Sequence, residues 1–167
     1  MSIAESPAGP AAPEITRDFT ATTFVVEGDR TLLLLHRKLG KWFPPGGHID
    51  PHELPDVAAL REVREETGLE VELLARAQAL GTVVMLPQPY CILLEDIAPG
   101  HQHIDLIYFA RVRGGALAPA EREARAARWF GWDELGAPEI AEDIRELGRR
   151  AIEQCRLGGP QTTASGS

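Results

Sequence analysis

At 167 residues and 44% hydrophobic content, the chain can form one ordinary core and falls on the single-domain side of the length prior. Its 25 acidic against 17 basic residues leave a formal charge of −8, which argues against general nucleic-acid binding, because a polyanion seeks a basic face. No apolar run approaches transmembrane length, the start MSIAESPAGPAAPE lacks the basic and apolar regions of a signal peptide, and Cys91 and Cys155 have no metal-like or disulfide spacing. A cytoplasmic protein with reduced thiols and no membrane contact is expected.

In chain order, residues 1–16 are rich in Ala, Pro and Glu and read as a disordered tail. Thr20 to Val26 and Thr31 to His36 read as two strands joined by the turn Glu27-Gly28-Asp29-Arg30. A helix is predicted from about Leu54 to Thr67, with Pro55 suited to its first turn and Gly68 to its end. Strand-like runs follow at Val71 to Leu74, Val83 to Leu86, Tyr90 to Leu94 and His103 to Val112, with a further short one at Ala127 to Trp132. Pro138 to Leu157 reads as a closing helix with apolar Ile140, Ile144, Leu147 and Ile152. Residues 158–167 are small and polar and read as a second tail, leaving 17–157 as the domain. Strands interrupted by one helix and closed by another fit an α/β/α sandwich around a mixed sheet.

The most informative segment is 47–69, GHIDPHELPDVAALREVREETGL. Glu62, Glu65 and Glu66 are related as i, i+3 and i+4, which places three carboxylates within roughly a 100° arc of the predicted helix. Ala58 and Ala59 are expected on that open face, and Leu60, Val63 and Thr67 on a separate one that packs into the core. Like charges at this spacing repel. Arg61 reaches Glu65 at i, i+4, but one guanidinium does not neutralise the set, so a divalent cation is the expected counter-charge. Oxygen-only ligands suit hard Mg²⁺, with Mn²⁺ as a substitute. A solvated acidic helix face is the usual meaning of such a charge run, but it leaves Gly47, Glu53, Arg61 and Gly68 unexplained.

The order Gly, five residues, Glu, seven residues, Arg-Glu-apolar-any-Glu-Glu-any-Gly-apolar resembles the Nudix box with every fixed position filled. With each residue type near 6 to 7 per cent of an average chain, such a match at a given start has a chance below about 10⁻⁸. The resemblance implies the Nudix fold and hydrolysis of a nucleoside diphosphate linked to another group, by water attack on phosphorus with Mg²⁺. Carried over by position, Glu62, Glu65 and Glu66 bind metal and activate water, Arg61 orients them, Glu53 is a further metal or support residue, and Gly47 lends a backbone carbonyl. The family often draws one more carboxylate from a late loop. Glu123 is the first candidate for it and Glu121 the second, although loop glutamates are usually just solvated.

Two other readings stay open: a nucleotide-binding sensor without turnover, although such domains typically lose box glutamates, and a nucleotide-sugar hydrolase that cleaves a C–O bond. An isopentenyl diphosphate isomerase is disfavoured because Cys91 and Cys155 lie away from the motif. The segment after the box has no Ser-Gln-Pro-Trp and holds Val84 and Met85 to Pro87 where some relatives carry a diagnostic Pro or Tyr, so the substrate stays undetermined.

Outside the box, His101, His103 and Asp105 alternate so as to share one strand face, a pattern that can bind metal but lacks an evident third partner. His48 and His52 occupy free positions of the box. Trp42, Phe43 and Tyr90 are candidates for stacking on a base, with packing the more common role, and Trp129 is expected in the core. Pro87-Gln88-Pro89 and Pro99-Gly100 are loops expected to shape a pocket. Oligomeric state is left open, a homodimer included.

Overall fold

A computed structural model describes residues 15–158, and the rest of both expected tails lies outside the described residues. In chain order the elements are β1 Thr16–Glu27, β2 Arg30–His36, β3 Trp42–Phe43, β4 Gly46–His48, α1 Pro55–Thr67, β5 Leu69–Leu73, β6 Gln78–Leu80, β7 Val83–Met85, β8 Cys91–Ala98, β9 His101–Gly115, β10 Ala124–Gly131 and α2 Glu142–Arg156. The strands β10-β2-β1-β9-β5 form the main sheet, with β3 added to β2, β4 to β1 and β8 to β9. The β1/β9 pair is parallel and runs from Thr16↔His101 to Val26↔Arg111, whereas β2, β4, β5 and β8 pair antiparallel with their neighbours. The sheet is therefore mixed, as expected. No helix among the described residues is long and apolar enough to cross a membrane.

Strand alternation sorts the core into two layers. Phe24 and Val26 of β1 and Ile107 and Phe109 of β9 pack against Ile144, Leu147, Ala151 and Ile152 of α2. Ala21 of β1 and Tyr108 and Ala110 of β9 pack on the opposite face with Ala58 and Ala59 of α1, and Val25 and Leu32 pack there with Val63. This corrects the helical-wheel expectation: Ala58 and Ala59 are fully buried, while Leu60 is 37% exposed. Small side chains let the α1 backbone approach β1 closely, so the alanines face the sheet rather than the open side.

α1 begins at Pro55 and ends at Gly68, whose φ of 73° is the left-handed cap that glycine adopts without strain. The closing helix starts later than expected. Pro138 holds the preceding Ala137 extended at ψ 144°, so a short 3₁₀ turn at Glu134–Gly136 precedes it and α2 begins only at Glu142. The Val83 run pairs with Gln78–Leu80 in a hairpin of its own, away from the main sheet. β1 also extends back to Thr16, inside the segment read as tail.

One topological feature positions the site. β1 and β2 pair only at Val26↔Thr31 and Glu27↔Arg30; beyond that β1 takes β4 and β2 takes β3. The sheet is splayed there, and side chains of α1 and of the α2-facing layer line a common cavity at the opening.

Candidate active site

The cavity, of about 530 Å³, is lined on one side by Glu62, Glu66 and Glu123 with Gly46, Gly47 and His48. Its lining also holds apolar Phe24, Leu34, Phe43, Ile107, Ile144 and Leu147, and four further carboxylates, Asp50, Glu95, Asp105 and Asp143. Glu65 is half exposed and holds to Arg61 at 3.3 Å, outside the lining.

Arg61 organises the box. It donates to both oxygens of Glu53 at 2.8 and 2.9 Å, to Glu62 at 2.7 Å and to the backbone carbonyl of His48 at 3.0 Å. Glu53 also accepts from the Asp50 amide at 3.0 Å, so its lone pairs are largely used and its pKa is held low, chiefly by Arg61. In this geometry Glu53 supports Arg61 and does not face the cavity.

The two glycines before the helix have different reasons to be glycine. A Cβ on Gly47 would lie 2.6 Å from Glu62 Oε1, and one on Gly46 would lie 2.8 Å from both the Ala21 carbonyl and Thr22 Cα. The Gly46 amide donates to Glu66 at 3.2 Å. Gly47 thus admits the Glu62 carboxylate against bare backbone, whereas Gly46 lets the chain approach β1 closely.

Glu123 reaches the box because its loop is docked on the end of α1. Amides of Ala118 and Ala120 donate to the Thr67 and Glu66 carbonyls at 2.8 and 2.9 Å, satisfying groups that a helix end leaves free. The Glu123 carbonyl accepts from the Arg37 amide at 2.8 Å, which fixes the loop to the end of β2. The carboxyl groups of Glu123 and Glu66 come within hydrogen-bonding reach of each other. Glu121 is exposed and does not line the cavity.

The electrostatics follow from this crowding. Burial, and then the Glu123 carboxyl beside it, push Glu66 up to about 8. Burial also raises Glu62, against the pull of Arg61. Across the cavity, burial with Asp105 and Asp143 nearby pushes Glu95 up to about 7. Asp105 is raised by burial despite hydrogen bonds from Thr22 and Thr20, the latter at 2.9 Å. Crowded carboxylates, with oxygen donors only and a glycine cradle against Glu62, are a donor set that fits a hard dication.

The other sequence candidates divide. His101 and His103 do share a face, and the third partner missing from the sequence pattern is Asp18. Burial, with His48 and His101 nearby, lowers the pKa of His103. Phe43 lines the cavity, but Trp42 packs edge-on against Phe130 at 5.0 Å and Tyr90 stacks on Phe109 at 4.3 Å, so both are engaged in packing. Trp129 packs with the Val25 and Val63 layer, as expected. Gln88 and Pro89 line a different hollow from the box carboxylates. Asp18, Glu95 and Asp143 escaped sequence reasoning because each meets its neighbours only through strand pairing or layer packing, which no local pattern reports.

The NUDIX domain model matches residues 16–151, and the chain belongs to the Nudix hydrolase family. A NUDIX-family hydrolase structure from Clostridium perfringens is 32% identical, with a TM-score of 0.73 over 84% of this chain and 99% of that one. The human 8-oxo-dGDP phosphatase NUDT18 is 31% identical over 85% of this chain and 42% of its own length. An ADP-ribose pyrophosphatase from Methanocaldococcus jannaschii is 29% identical over 74% of this chain and 66% of its own. The chain thus spans less than half the length of the human relative.

Proposed function

We propose that the protein is a Mg²⁺-dependent pyrophosphohydrolase, cleaving a nucleoside diphosphate linked to another group by water attack on phosphorus. The observation that carries this reading is the cavity itself, whose lining joins the carboxylates Glu62, Glu66 and Glu123 to apolar Phe43, Ile107 and Leu147. A diphosphate suits the carboxylates through a bridging dication, and a base suits the apolar lining. Glu62, Glu66 and Glu65, with the Gly47 carbonyl, are the groups that would hold Mg²⁺, and Mn²⁺ fits the same oxygen set. When bound, the ion neutralises phosphate charge and makes attacking water more acidic.

The chain's own residues have distinct tasks in this reading. Arg61 fixes the Glu62 and Glu65 rotamers, and Glu53 fixes Arg61. Glu123 accepts the proton from the attacking water, and its contact with Glu66 keeps it at the cavity. Positioning and electrostatics supply most of the rate. A cytoplasmic setting accompanies this function and is in keeping with two free cysteines.

The test is phosphate and pyrophosphate release with Mg²⁺ across nucleoside di- and triphosphates, their 8-oxo forms, dinucleoside polyphosphates, nucleotide sugars and ADP-ribose. Oxidised guanine nucleotides and ADP-ribose are included because the human and archaeal relatives are named for them. Turnover with ¹⁸O from labelled water entering a phosphate product supports the reading. Binding of nucleotides without turnover of any of them would favour a sensor, and label in the sugar product would favour C–O cleavage.

A further inference from the structure

The sheet face that lines the cavity also carries a cluster outside the box. In the parallel pairing Asp18 of β1 lies opposite His103 of β9, and Thr16 opposite His101, so the three potential ligands Asp18, His101 and His103 project to one side. One ligand atom from each lies within 4.8 Å of the others. Asp18 Oδ2 is 3.6 Å from His101 Nε2 and 3.4 Å from Nε2 of His48, which enters on β4 beside Thr20. Two ligands at the usual ~2.1 Å from a tetrahedral Zn²⁺ are about 3.4 Å apart, so these separations match a coordination edge.

A separate observation concerns the His101 tautomer. The Thr16 hydroxyl has one proton, and it donates to the Gly100 carbonyl at 3.2 Å. Thr16 Oγ1 also lies 2.9 Å from Nδ1 of His101; with the hydroxyl proton on the Gly100 carbonyl, Nδ1–H of His101 donates to Thr16 and Nε2 is left as the ligand atom on the side of Asp18. A hydrogen bond to the far ring nitrogen is how metal-binding histidines are oriented. Imidazole with one carboxylate suits a borderline dication, in contrast to the oxygen-only box.

We propose that Asp18, His101 and His103 form a second metal site, for Zn²⁺ or a similar imidazole-preferring transition dication, with His48 in reach as a fourth ligand. The site ties the starts of β1 and β9 to the end of β4. The His48 carbonyl is also one of the acceptors that hold Arg61, at 3.0 Å, so an ion here braces the segment that orients the box. The site does not depend on the reaction proposed above.

Calorimetric titration of the full chain with Zn²⁺ in millimolar Mg²⁺, and the visible spectrum on Co²⁺ addition, test this. One Zn²⁺ per chain is expected, with Co²⁺ bands of nitrogen and oxygen ligation. His103→Ala and Asp18→Asn lose the event, Thr16→Val weakens it by about 10- to 100-fold, and Glu66→Gln leaves it in place. Melting in EDTA checks that the variants fold; should His103→Ala not fold, Asp18→Asn carries the test, since that side chain is 51% exposed. The proposal is overturned if the wild type takes up no Zn²⁺ under these conditions, if Asp18→Asn binds like the wild type, or if Glu66→Gln abolishes binding, because the ion then sits in the box.

Discussion

Arg61 directs its N–H donors at Glu53, Glu62, Glu65 and the His48 carbonyl, a set that a lysine ammonium cannot reproduce because it lacks the planar fork. Arg61→Lys is accordingly expected to lower activity by about 10- to 100-fold while retaining the charge, with the Mg²⁺ dependence displaced to higher concentration. An activity and Mg²⁺ profile equal to wild type would refute the orienting role. Glu66→Gln removes a cavity carboxylate without opening a void, so a loss of about 10²- to 10³-fold is expected with the fold intact by circular dichroism. Full activity at limiting Mg²⁺ would remove Glu66 from the metal set. Glu123→Gln should cost less than Glu66→Gln, because solvent can replace Glu123 in the proton-accepting role proposed for it; a larger loss for Glu123→Gln would reverse that order of importance. The box glutamates were legible in the sequence because i, i+3, i+4 spacing is local and survives any tertiary arrangement. Asp18 was not, since its meeting with His101 and His103 exists only through a strand pairing across more than eighty positions.

At the scale of elements, the turn into α1 separates two kinds of glycine. Gly46→Ala would press a Cβ on backbone atoms at 2.8 Å, which cannot move without displacing β1, so a fall in stability of about 1–3 kcal/mol is expected by denaturant melting. Gly47→Ala meets the end of a side chain at 2.6 Å, and Glu62 can swing away. That variant should therefore keep most of its stability and lose activity; the reverse pattern would show that Gly47 serves the fold and not the carboxylate. Both helices and most long strands could be read from periodicity and from Pro and Gly punctuation. β3, β4 and β6 could not, because a two- or three-residue strand has no period to detect. The face of α1 was misread for a related reason: a helical wheel separates arcs but does not say which arc meets the sheet, and here closeness of approach selected the alanines.

For the whole molecule, the buried carboxylates link folding to pH. Glu66 has an ordinary value of 4.5 and is pushed up to about 8, so between those values the folded chain holds a proton that the unfolded chain has released. Its contribution to stability is fully present below about 4.5 and is lost as pH rises through about 8. In EDTA, thermal or denaturant melting should show stability declining across that window by of the order of 1 to 4 kcal/mol, then levelling. Mg²⁺ should oppose the decline, and Glu66→Gln should flatten it. A metal-free wild type whose stability is constant across the window would contradict the buried pair. At lower pH the opposite sign operates through Glu53, which Arg61 holds below its ordinary value.

The parallel pairing of β1 with β9 has a consequence for how the molecule comes into being. Thr16 meets His101 and Val26 meets Arg111, so the central pair of the sheet closes a loop that contains the entire box. Closing so long a loop loses chain entropy before any pairing repays it, and such non-local contacts make for slow folding, on the order of milliseconds to seconds. α1, with its local hydrogen bonds, is free to form far sooner. The carboxylates of α1 and the opposite wall of their cavity are thus brought together only by a non-local pairing, and on the proposed function a diphosphate site would be complete only once β1 has paired with β9.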